Sequence, residues 1–336
     1  MLIYIYIYLI ITLSLFFKKN RFLYIVIYIT LLFFGGMRSI NVGTDTSNYE
    51  DIYNIINSGE EGLKYVLAYV EPGWVLINYI CGQIFDDYRP IIFIGVFLAI
   101  TPLFICLWKS CKNPFHSIFF YITLYFYYNS FNITRQMIAV SIIIYSIYYL
   151  FKGRKGIFYI GVFSAMLFHY SSILCFLFPI IIRKTKLSIL SATIILMFTY
   201  ICGLYIIPKI LPLLPFIGRY STYLIDGESS GSVTRLLLNL FFIFILAVCN
   251  YKKVHNYLKL FFIGIIIYNL FSFSSSVGRI ALYFMCTQLF LFTTMDSKYI
   301  VNNYILKLCA FIYATTYYFL MLNANSGEII PYEIWK

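Results

Sequence analysis

A chain of 336 residues that is 62% apolar and only 11% charged carries more hydrophobic surface than one soluble core of that size can hide, which excludes a soluble globular enzyme. The fold class that follows is all-α, a polytopic bundle of membrane helices. Its formal charge of +12 would suit nucleic acid in a soluble protein, but these cations sit in short connectors between apolar runs, as topology requires, so nucleic acid is not expected as a partner.

In chain order, runs near the length needed to cross hydrocarbon fall at 2–17, 22–37, 90–108, 115–131, 135–151, 187–207, 235–250, 256–273, 279–295 and 301–321. The first is followed, not preceded, by Lys18, Lys19 and Arg21, so it reads as a retained helix rather than a cleaved signal. Basic connectors at Lys18–Arg21, Lys109–Lys112, Lys152–Lys155, Arg183–Lys186, Lys252–Lys259 and Lys298 are assigned to the cytoplasm. Two segments then cannot cross. Gly73–Phe85 becomes a short interfacial or re-entrant helix, and 157–182 becomes a hairpin entering from the cytoplasm with its apex at Phe168–Ser172. The result is a single integral membrane domain over 1–336, with ten crossings, one hairpin, both termini outside and external loops near 38–72 and 208–234. The eight cysteines are scattered, without a CxxC pair or a His at zinc spacing, and read as small core residues.

Threading the runs alternately puts twelve of the sixteen lysines on the cytoplasmic face but six of the nine arginines on the other. The insertion rule favours the opposite for those six, so planar forks of donors stationed there suit a phosphate or a carboxylate. Arg38 ends one predicted helix, whereas Arg135, Arg235 and Arg279 begin others, where a cation opposes the helix dipole unless an anion is near. Taken singly, each would be an anchor snorkelling to headgroups. Arg219, after Pro208, Pro212 and Pro215, reads as a second phosphate contact or as a solvated loop charge.

Other polar residues gather on the same face. The stretch Arg38-Ser39-Ile40-Asn41-Val42-Gly43-Thr44-Asp45-Thr46-Ser47-Asn48-Tyr49 is turn-rich and can present amides and hydroxyls. Glu71-Pro72-Gly73-Trp74 opens an apolar helix; Arg135-Gln136 precedes Ile138-Ala139; His169 precedes Ser171-Ser172; Arg279 follows a Ser-rich turn; and Pro331-Tyr332 stands near the end. In their order and side these motifs resemble the EpsG family, the Wzy-like polymerases of exopolysaccharide, capsule and O-antigen assembly, over nearly the whole chain.

The resemblance implies a GT-C-like membrane glycosyltransferase in a bacterial cell membrane. Such an enzyme moves a glycan from a polyprenyl-pyrophosphate carrier to a sugar hydroxyl of the next lipid-linked unit at the outer leaflet. It also implies pathway partners, a flippase and a chain-length regulator, besides membrane lipid. Under that reading Arg135, Arg235 and Arg279 hold pyrophosphate, with Arg219 as a further contact, while Arg38 and Asp45 shape the acceptor side. His169 ranks first as the base and Asp45 second, with Glu71 a rival base or an orienting partner. Trp74 reads as an interfacial anchor or as a ring that stacks a sugar. Cations at a departing pyrophosphate need no metal, so the reading calls for no metal and no cofactor. A transporter or flippase of lipid-linked oligosaccharide, a membrane-bound acyltransferase and an O-antigen-type ligase are the alternatives. Lys307, inside the last run, has no place in this scheme.

Overall fold

The computed structural model describes residues 1–210, 232–249, 255–271, 273–294 and 302–335. They fold as two compact units, Met1–Phe176 with Tyr318–Lys336, and Leu177–Tyr317. Among the described residues there are helices and turns, with one isolated bridge between Arg38 and Ile334 and no strand. Four helices are long and apolar enough to cross a bilayer, Arg89–Ser110, Thr134–Phe151, Ile189–Ile210 and Asn303–Asn323, and six shorter apolar helices accompany them. The chain is an all-α, multi-pass membrane protein.

The first unit contains α1 (Leu2–Ser14), α2 (Arg21–Gly36), α3 (Thr46–Asn57), α4 (Glu60–Leu67), α5 (Pro72–Gly82), α6 (Arg89–Ser110), α7 (Pro114–Thr123), α8 (Phe126–Asn132), α9 (Thr134–Phe151) and α10 (Lys155–Met166). Local chemistry sets several of these boundaries. Asn20 and Asn113 begin α2 and α7 by accepting the amides of Leu23 at 3.0 Å and Phe115 at 3.2 Å. Pro102 interrupts the ladder inside α6, and the next amide, Leu103 N, donates instead to Ser141 Oγ of α9 at 2.9 Å. That exchange ties the two long helices together.

The ends of the helices sort as the charges predict. At one end Lys19 Nζ donates to the carbonyls of Trp108 (2.5 Å) and Cys111 (3.2 Å), and Asn113 Nδ2 donates to Phe17 O (3.0 Å). At the other, the segment after the last helix folds back: Ser39 N donates to Glu333 O at 2.8 Å, Gly43 N to Glu328 O at 3.2 Å, and Tyr332 stacks on Phe34 with centroids 4.0 Å apart. Tyr4 Oη reaches Ile329 O there as well. Helices α1, α2, α6, α9 and α10 each run between these ends, with Lys18, Lys19, Lys109 and Lys112 at the first and Arg38, Arg89 and Arg135 at the second.

Three expectations about elements change. The run 115–131 is not one helix: Tyr125 adopts a left-handed φ of 68° and divides it into α7 and α8. The polar stretch 38–72 is not merely a loop. Tyr49, Ile52, Tyr53 and Ile56 follow helical spacing in α3 and are buried, while α4 carries Glu60 and Glu61 in its first turn and pairs Glu60 with Lys64 at 3.6 Å. The run 187–207 is helical but widens through a π turn at Cys202–Ile206, where a Cβ on Gly203 would stand 1.8 Å from Asn269 O.

In the second unit, Asn239 and Asn269 exchange amide hydrogen bonds at 3.0 and 2.9 Å, and Asn269 Nδ2 also donates to Thr199 Oγ1 at 3.2 Å, joining three helices by side-chain amides. Lys307 lies on the exposed face near the start of the last helix, where its ammonium can snorkel. Seven cysteines are buried and Cys309 is half-buried, all with free thiols.

Arg38, expected on the acceptor side, turns into the protein. It is fully buried, with Nη1 donating to Gly35 O at 2.6 Å and Nη2 to Phe131 O at 3.2 Å, and its guanidinium lies 4.8 Å from the Phe131 ring centroid. Those bonds fasten the end of α2 to the end of α8. Arg38→Leu is expected to cost about 3 kcal/mol through two lost charged hydrogen bonds. A lower melting temperature in detergent, with the surviving folded fraction still active, is the outcome to look for.

Candidate functional site

Glu71 occupies the position just before α5, whose first turn carries Pro72. Pro suits that turn because its missing amide has no partner to lose, and a carboxylate there faces the positive end of the helix. The hairpin apex is brought to the same point. Gly73 N donates to Leu167 O at 2.8 Å, and a Cβ on residue 73 would meet that carbonyl at 2.6 Å. Glycine is therefore what lets the start of α5 approach the end of α10. The apex itself is as predicted: α10 ends at Met166, His169 N donates to Ala165 O at 3.0 Å, and a 3-10 helix follows over Tyr170–Leu177.

The result is a three-residue cluster. Glu71 Oε2 accepts from Arg135 Nη1 at 2.5 Å and Oε1 faces His169 Nδ1 at 2.9 Å; the Tyr170 amide also donates to Oε1, at 3.4 Å. The Glu71 side chain is 6% exposed, against 27% for Arg135 and 30% for His169, so the carboxylate is enclosed while its two partners reach the surface. Burial alone would raise the Glu71 pKa, but the His169 hydrogen bond and the Arg135 charge outweigh it and hold the carboxyl below its ordinary value. Because the carboxylate can only accept, Nδ1 carries the hydrogen of this contact and Nε2 points away from Glu71.

Arg135 begins α9, and the supposed conflict with the helix dipole is met by a carboxylate rather than by an external anion alone. A residue that sequence reasoning missed supports it. Tyr49 of α3 donates to Asn132 O at 2.8 Å and meets the Thr134 side chain and the Arg135 amide, capping α9 from outside. Burial raises the Tyr49 pKa, with Arg135 opposing and Asp45 adding to it, so Asp45 lies within electrostatic reach of the same hydroxyl. Asp45 itself is half-buried ahead of α3 and accepts from Thr44 Oγ1 at 3.2 Å. Tyr49 closes the turn-rich stretch that begins at Arg38, but among 34 tyrosines its sequence position gave no sign of this role.

The other expected members have surroundings of their own. Trp74 is 1% exposed and packs edge-on against Tyr49 with centroids 5.2 Å apart. Arg235 and Arg279 belong to the second unit. Arg235 is buried with its guanidinium 5.6 Å from the Tyr200 ring, and Arg279 is half-buried at the start of a 3-10 turn. Arg219 lies outside the described residues. Among the described residues, no group of three His, Cys, Asp or Glu side chains is placed to hold a metal ion.

Gly73→Ala is expected to push the apex off α5 and move His169 relative to Glu71. Misplacement on that scale costs roughly tenfold or more in rate. Transfer assays on membranes, normalised to the amount of protein, would read it, and an unchanged rate would count against the apex being set by this contact.

The fold and this cluster define a multi-pass membrane protein with a carboxylate-oriented histidine and an arginine at one end of its helices. The family model described as EpsG family matches residues 20–334, and the chain belongs to that family, a Wzy-like polymerase family. Its members' role is of the exopolysaccharide or O-antigen polymerase type. Neither the curated proteins nor the solved structures give a match.

Proposed function

We propose that this protein polymerises polysaccharide repeat units, transferring a glycan from a polyprenyl-pyrophosphate carrier to a sugar hydroxyl of the next lipid-linked unit. The reaction takes place at the outer leaflet of a bacterial cell membrane. The observation that carries this reading is Glu71 bridging Arg135 and His169 at the end of the helices opposite the lysine-rich connectors.

In the proposed step the acceptor oxygen attacks the anomeric carbon as its proton passes to His169 Nε2. The bond from that carbon to the pyrophosphate oxygen breaks, and the pyrophosphate leaves as an anion on its lipid. Glu71 fixes the imidazole and stabilises the cation that forms, as a carboxylate does for a catalytic histidine in acyl transfer. Arg135 turns its exposed side to the pyrophosphate and offers more donors than Glu71 can use. Arg235, Arg279 and Arg219 are proposed phosphate contacts on side-chain chemistry alone, and Asp45 is a proposed group on the acceptor side.

The test is genetic and chemical. Cells lacking the protein should accumulate carriers bearing one repeat unit. Long lipid-linked chains would instead mark a ligase, and units trapped on the inner leaflet a flippase. The proposal extends to transfer without a metal, because cationic side chains meet the leaving group. Exhaustive chelation should leave the rate unchanged, and restoration of a chelated preparation by Mg or Mn ions would overturn that part.

A further inference from the structure

The segment after the last helix builds a second polar hollow at the same end of the first unit as the His169 cluster. Its backbone runs against residues 37–39: Ser39 N donates to Glu333 O at 2.8 Å and Trp335 N to Met37 O at 3.0 Å, on either side of the Arg38–Ile334 bridge. Residues two apart in an extended segment share a face, so Glu333 and Trp335 project together. With Ser39, Ile40, Tyr88 and Arg89 they line a cavity of about 270 Å³.

Its walls are held in place. Trp335 Nε1 donates to Gly36 O at 3.2 Å, and the Arg89 guanidinium lies 5.3 Å from the indole ring while pairing with Asp87 at 3.0 Å. Glu333 Oε2 accepts from Asn41 Nδ2 at 3.1 Å, yet Glu333 is exposed and keeps lone pairs for a ligand.

We infer that this hollow is a glycan subsite, holding one sugar ring of the chain that is extended at His169; the inference rests on the polymerase reading. An indole and a phenol offer apolar faces to the C–H side of a pyranose. A carboxylate beside a guanidinium accepts from and donates to neighbouring hydroxyls. The volume is below the roughly 300 Å³ at which pockets for drug-sized ligands begin, which fits one ring rather than an oligosaccharide. The carboxylates Glu333 and Asp87 disfavour a phosphate, and a lining that mixes Glu333, Arg89 and Ser39 with Ile40, Ile334 and two aromatic rings suits an amphipathic ring.

The experiment compares Trp335→Ala, Glu333→Gln and His169→Gln in cells lacking the native protein and in their membranes supplied with the cell's own lipid-linked repeat unit. Glu333→Gln keeps the backbone bonds and the Asn41 contact, so it tests the subsite even if Trp335→Ala loosens the segment. Both variants should shorten the polymer and raise KM about tenfold with kcat little changed, as expected for the loss of one stacked or charged contact. A second reading uses oligosaccharides hydrolysed from the polymer, which should shift the tryptophan fluorescence of the native protein but not of Trp335→Phe. Normal length and normal KM in both variants, with His169→Gln inactive, would overturn the subsite alone. Normal polymer in cells lacking the protein altogether would remove the polymerase reading, and the subsite with it.

Discussion

Replacing His169 with Gln is expected to lower glycan transfer by roughly 10²- to 10⁴-fold, the range a positioned general base contributes. Gln is close in size to the imidazole and can still donate to Glu71, so the hairpin apex should stay in place and the protein should accumulate normally. What Gln cannot do is take a proton. The geometry makes the prediction sharp: Nδ1 is engaged by Glu71 Oε1 at 2.9 Å, which leaves Nε2 as the only basic atom of the ring. Rates measured on membranes with lipid-linked units, at equal protein, would decide it, and a rate within a few-fold of the native protein would rule His169 out as the base.

Glu71→Gln should do comparable harm by a different route. The carboxylate serves a guanidinium and an imidazole at once, and an amide of the same shape keeps neither charge nor two acceptor oxygens. A loss of roughly 10² or more in rate is expected, because the imidazole loses the anion that fixes its tautomer and stabilises its charged form. The same substitution should change how stability depends on pH. The Glu71 carboxyl is held below its ordinary value of 4.5, so its contribution is fully present above that pH and is lost as pH falls through the lower folded value. Melting temperatures of the native protein should therefore drop on acidification below about 4.5, and those of E71Q should drop less. Parallel pH curves for the two would show that Glu71 is not linked to folding.

How much of this could be read in the sequence depends on what each feature rests upon. The sorting of charges to opposite helix ends was legible because lysines in short connectors mark one side whatever the packing, and Lys19 and Lys109 do stand at the end opposite Arg38, Arg89 and Arg135. The hairpin apex at His169 was legible for the same reason, being forced by its basic flanks. The fate of individual arginines was not. Arg38 and Arg135 look alike in a linear pattern, but Arg38 turns inward onto two carbonyls whereas Arg135 meets a carboxylate 64 positions earlier in the chain. Glu71 was visible as a charged residue ahead of Pro72, yet its role as the joint between two partners appears only when Gly73 admits the Leu167 carbonyl. An aromatic near a helix start, such as Trp74, suits an interface and a buried core equally, and its contact with Tyr49 appears only in the fold.

The paired amides of Asn239 and Asn269 bear on a different property, the angular setting of helices in a medium that offers no competing donors. Turning either helix about its own axis would strip both side chains of their partners together, so these two residues act as a key that admits one rotational position. Leucine and phenylalanine around them supply adhesion without orientation. In this part of the molecule, direction comes from a few polar atoms and cohesion from everything else.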